Sequence, residues 1–133
     1  MRRDSKISQI TVMIGSEAVG FDTAEVMTPI TEENRVGITG NGYGGHVTLD
    51  VDGIERTWSF GGNTVVLDGN VKHLSLQGDV NAEIYLLVFL QVFEEDPKDT
   101  SGVILLKRKF EPGVIDYTMS LTELIKKGRG ILR

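Results

Sequence analysis

With 133 residues, 40% of them apolar and 25% charged, the chain has the size and make-up of one globular domain, not of a disordered or fibrous segment. Cysteine is absent, which excludes disulfides, thiolate metal centres and a cysteine nucleophile, and fits a reducing compartment. A net charge of −5 argues against a duplex-binding domain, whose footprint is basic. The balance is uneven, because residues 102–133 hold seven basic side chains and three acidic ones. Such a tail suits an acidic surface, including that of a sister subunit. The opening MRRDSKISQI has two arginines but no apolar stretch behind them, so no leader is expected. The longest apolar run, IYLLVFLQVF, is far shorter than the ~20 residues of a membrane helix. The expected location at synthesis is the cytoplasm, with neither membrane nor nucleic acid as partner.

Strand signals dominate. ISQITVMI (7–14) predicts a first strand, and residues 15–32, without clear periodicity and containing Pro29, an extended arm or long loop. NRVGITG (34–40) reads as a second strand. GITGNGYGGHV (37–47) forms a glycine-rich loop with Asn41 and Tyr43 as its candidate binding residues. HVTLDV (46–51) alternates cleanly, and Asp52-Gly53 is a strong hairpin signal, because a type I′ turn needs positive φ at both central residues. IERTWSF (54–60) returns with Ile54, Trp58 and Phe60 on one face, which Arg56 shares. Gly61-Gly62-Asn63 leads to TVVL, and Asp68-Gly69-Asn70 leads to VKHLSLQ. Then come the long AEIYLLVFLQVFEE (82–95), the acidic DPKDTSG, VILLKRKF (103–110), a Glu111-Pro112-Gly113 turn and VIDYTM. A short helix is expected over 120–128, capped by Ser120 with Glu123 as its capping-box partner and stopped by Gly128. The fold class is therefore all-β: an antiparallel, jelly-roll-like sandwich of eight or nine strands in a single domain, 1–133, with a C-terminal helix.

Several stretches invite a chemical reading. Gly40, Gly42 and Gly45 match G-x-G-x-x-G, and Val47 extends the match. A dinucleotide site requires a helix after the glycines, whereas HVTLDVDG makes a strand and a turn. A kinase-type loop requires a nearby lysine and further elements that the chain lacks. A hairpin loop is the better account. His46 and His73 stand on different strands, short of the three or four ligands of a zinc site. EEDPKD (94–99) gathers carboxylates without the calcium-loop pattern, so solvated acids are expected. In LLKRKF, Lys107 and Lys109 share a face and Arg108 opposes them, which suits protection of a sheet edge. Neither a catalytic constellation nor a cofactor or metal site emerges.

The most informative segment is apolar on both faces: Ile84, Leu86, Val88, Leu90 and Val92 on one, Tyr85, Leu87, Phe89 and Phe93 on the other. Such a strand needs two covers, the sandwich core and a second. The terminal helix, the 15–32 arm or another subunit could supply the second. Tyr85, Leu87, Phe89 and Phe93 are thus the candidate interface.

From residue 34 to about 93, the order of Arg35-Val36, the 40–45 glycine/asparagine loop and Gly62 to Leu67 resembles small β-sandwich proteins of tailed-phage particles. The pattern stops before 103–133. The resemblance implies an oligomeric virion accessory role, as capsid decoration, head fibre or tail part, and incorporation into the virion. The expected function is a non-enzymatic structural or interaction protein that self-associates as a homo-oligomer, within a larger assembly such as a capsid. The alternative is a ligand-binding sandwich, such as a carbohydrate binder stacking sugars on Trp58, Tyr43 or Tyr85. Against it, Trp58 shares its strand face with Ile54 and Phe60, which points to the core.

Overall fold

Period-two alternation turns one side of most strands towards a shared apolar interior. The computed structural model describes residues 7–15, 28–29, 44–59, 62–93 and 100–131. Its elements are β1 (Ile7–Gly15), β2 (Thr28–Pro29), β3 (Gly45–Val51), β4 (Ile54–Trp58), β5 (Asn63–Asp68), β6 (His73–Val80), β7 (Ile84–Phe93), β8 (Thr100–Phe110), β9 (Gly113–Ser120) and α1 (Thr122–Ile131). One sheet has the order β2-β8-β7-β1-β5, the other β4-β3-β6-β9, and every pair is antiparallel. The β3–β4 and β7–β8 hairpins stay within a sheet, while β4 to β5, β5 to β6, β6 to β7 and β8 to β9 change sheets. This is the expected sandwich, with jelly-roll-like crossings.

The core collects Ile10, Val12 and Ile14 of β1, the even residues Ile84 to Leu90 of β7, and Val103 and Leu105 of β8. Against them pack Val47, Leu49 and Val51 of β3, Leu74, Leu76 and Val80 of β6, and Ile115 of β9. Two glycines of the β3–β6 ladder leave no room for a side chain. A Cβ on Gly78 would sit 2.2 Å from the His46 carbonyl oxygen, and one on Gly45, at φ +103°, would sit 2.1 Å from that of Asp79. Only glycine fits either place.

The predicted hairpin forms, with Asp52 at φ 53° and Gly53 at φ 88°. Asp52 does more than turn. Its carboxylate accepts the backbone N–H of His73 at 2.8 Å and of Lys72 at 3.0 Å, tying the turn to the start of β6. Those bonds, His73 foremost, hold its carboxyl below the ordinary 3.8. A carboxyl depressed in the folded state stabilises above its unfolded pKa, and that contribution is lost as pH falls through the folded value. Asp52→Asn is therefore expected to lower the urea midpoint at about pH 7, with the gap to the parent narrowing by about pH 2.5. A gap of equal size at both pH values would refute this role.

Three expectations change. The predicted capping box is displaced: Ser120 still belongs to β9, opposite His73, and the first helical bond runs from the Ile125 N–H to the Leu121 carbonyl. Strand pairing takes Ser120 before it can cap. Gly128 does not stop the helix, which continues to Ile131; it is buried against Leu105, Leu90 and Val103, where a Cβ would stand 2.8 Å from Leu105 Cδ2. The helix also does not cover the outer side of β7. It closes the end of the sandwich interior, because Leu90, Leu105 and Val103 belong to the core. Of the 15–32 arm, β2 pairs with β8 through Thr28↔Ile104 and Pro29↔Val103. The rest of that arm, the predicted 34–40 strand and the 94–99 acids lie outside the described residues.

Candidate functional site

On the outer face of the larger sheet, register brings the predicted interface residues beside neighbours distant in sequence. Met13 lies opposite Leu87, and Leu87 opposite Lys107; Thr11 lies opposite Phe89, and Phe89 opposite Ile104 across a bulge in β8. Leu87 and Ile104 are 4% and 3% exposed, with Met13, Tyr85 and Phe89 packed around them. The centre of this face is thus closed within one chain, and Leu87 offers no free surface. Tyr85 and Phe89 are half-buried. The backbone of Phe93 pairs with Ile7 and Thr100, while its side chain, like Asn41 and Tyr43, lies outside the described residues. Polar atoms here are paired: the Thr11 hydroxyl donates to Gln91 Oε1 at 3.2 Å.

At one end of this face Tyr85 donates to Glu83 Oε1 at 3.2 Å, and Lys109 stands 3.8 Å from Glu83 and 3.5 Å from Glu111. Desolvation, then Glu83, pushes the Tyr85 hydroxyl up, and Glu83, then Glu111, raises the Lys109 ammonium. Both shifts keep these groups protonated at neutral pH, so neither becomes a base or nucleophile. Exposed pairs of this kind contribute little to stability.

The histidines do not meet. His46 is paired with Asp79 and His73 with Ser120, at opposite ends of β6 and about 20 Å apart along the strand. Among the described residues no group of three or more histidine, aspartate or glutamate side chains could hold a metal. Trp58 packs half-buried against the core, opposite Val47, so its ring does not stand out as a platform. Between α1 and the β5–β6 turn, Lys72, Lys126 and Arg129 line a shallow groove. Arg129 serves structure there, donating from Nη2 to the Gly69 carbonyl at 3.0 Å.

The strand edges are the more informative surface. β4 is short and turns Arg56 inward opposite Leu49, with Nη1 buried. β8 carries Lys107, Arg108 and Lys109 beyond the two residues that β2 covers. Inward charges, lysines and brevity are the usual guards against edge-to-edge pairing. β9 has none of them. It runs for eight residues, GVIDYTMS, with Asp116 as its single charge, and among the described residues it pairs only with β6. Near it, Phe110 meets Tyr117 edge-on at 5.4 Å, and Arg108 lies 4.9 Å over the Tyr117 ring.

No protein-family model, curated protein or solved structure matches this chain. Sequence reasoning missed the β9 edge because alternation marks a strand without saying whether both its sides are paired. The available signal was a segment free of lysine and proline between the Glu111-Pro112-Gly113 turn and the helix.

Proposed function

We propose that this chain is a non-enzymatic structural protein that self-associates and works within a larger assembly. The observation that carries the reading is the placement of exposed apolar side chains. Ile54 on β4 is 61% exposed, Val66 on β5 57% and Val114 on β9 82%, and all three strands are sheet edges. Exposed β-branched residues on strands that are edges among the described residues favour contact with another protein surface over solvent. The resemblance of residues 34–93 to virion accessory sandwiches supplies the kind of assembly: capsid decoration, head fibre or tail part. Native mass spectrometry across a concentration series is expected to give a defined oligomer of the full chain. A strict monomer at every concentration would overturn the proposal.

A further inference from the structure

We infer that the self-association surface is the β9 edge, with two copies of the chain pairing antiparallel so that Tyr117 of each faces its counterpart. This rests on the self-association reading and adds to it a surface and a register.

The first ground is the contrast among edges. β9 is longer than β4 or β5, keeps a regular ladder with β6 along Gly113–Ser120, and lacks the guards that β4 and β8 carry. Among the described residues no strand pairs with the outer side of β9, and an edge of that length is a template for another strand, since the added strand satisfies its donors and acceptors at little ordering cost.

The second ground is symmetry. Two identical strands related by a two-fold axis perpendicular to the sheet face each other residue for residue, with the same side of the pleat matched. Residues of like parity must then lie opposite, which excludes the register that would overlap all of 113–120. Two long registers remain. One is centred on Asp116 and overlaps 113–119; the other is centred on Tyr117 and overlaps 114–120. The first puts the only carboxylate of the strand directly against its copy, and like charges placed directly opposite are destabilising. The second places Asp116 opposite Thr118, Ile115 opposite Met119 and Val114 opposite Ser120, with no like-charge pair. Charge selects the register centred on Tyr117.

The third ground is what this register joins. Ile115, Tyr117 and Met119 form the inward face of β9, with Tyr117 beside Leu76 and Met119 beside Leu74. Pairing through them extends the interior of one sandwich into the other. On the outer side Asp116 is already held by Gln77 Nε2 at 3.3 Å, and the exposed Val114 gains a neighbour. Tyr117, seated against Phe110 and Arg108, has little freedom left to lose. The occupant is therefore a second copy of the chain.

The absence of cysteine makes the test clean. Val114, Thr118 and Ser120 are all exposed, so cysteines there leave the interior intact. Directly opposed residues bring their Cα atoms to about 4.5–5.5 Å, within disulfide range. Mild oxidation of Val114→Cys/Ser120→Cys is expected to double the mass on a denaturing gel, and reductant to reverse it. Val114→Cys/Thr118→Cys, which reports the register centred on Asp116, is expected to stay at single-chain mass. Cross-linking of the second variant in place of the first overturns the register. A parent that is oligomeric while neither variant cross-links overturns the β9 surface and leaves self-association standing. A parent that is monomeric throughout overturns both.

Discussion

Gly78→Ala is expected to lower the stability of the chain by about 3 kcal/mol, the upper end of what forced overpacking does. The added methyl has nowhere to go. Its nearest neighbour, at 2.2 Å, is the His46 carbonyl oxygen, a backbone atom held in the β3–β6 ladder. A side-chain tip could swing away, but this oxygen cannot move without breaking register between Val47 and Gly78 and shifting Leu49 and Leu76, both fully buried. Gly53→Ala is the control, because a Cβ there meets nothing within 4 Å and only the positive φ resists it. Urea unfolding followed by Trp58 fluorescence measures both. A Gly78→Ala loss no larger than that of Gly53→Ala would refute the close-approach account.

Leu105→Ala is expected to destabilise by about 3 kcal/mol, the usual range for a fully buried leucine in a core that relaxes only partly. More telling is its coupling to Gly128. Glycine inside a helix sacrifices about 1 kcal/mol relative to alanine. The chain accepts that because a Cβ would press on Leu105 Cδ2 at 2.8 Å and Leu90 Cδ2 at 3.1 Å. Gly128→Ala alone should thus be destabilising, since overpacking outweighs the gain in helix propensity. Once Leu105 is truncated the same change fills space and gains propensity. Leu105→Ala/Gly128→Ala should be about 1 kcal/mol more stable than Leu105→Ala. An unchanged effect of Gly128→Ala in the two backgrounds would show that the helix does not seat on Leu105.

These two residues show how far the sequence can be read. Gly78 sits in a strand pattern, where a glycine signals a bulge or close approach without naming the neighbour. Gly128 follows two lysines at the end of a helical pattern, where a stop was the natural expectation. Packing against β8 overrides it. The outer side of β7 is similar: its apolar residues are legible in the sequence, but that Leu87 packs with Ile104 and Met13 follows from the pairing of strands remote in sequence. Of the expected interface Tyr85, Leu87, Phe89 and Phe93, Leu87 is buried, and the surface we propose instead is the edge at β9.

What the sequence determined by itself was local and periodic. Alternation separated the two faces of β3 and of β7. Asp52-Gly53 settled a type I′ turn, because the φ values it needs are a property of two adjacent residues. Alternation and frequent turns also led to the sandwich class. The tertiary structure decided where α1 seats and, among the described residues, which strands have a neighbour on both sides and that β9 pairs on one side alone. An edge is defined by the partner that is missing, and a glycine contact by an atom on another strand. Neither is a property of the segment that bears it.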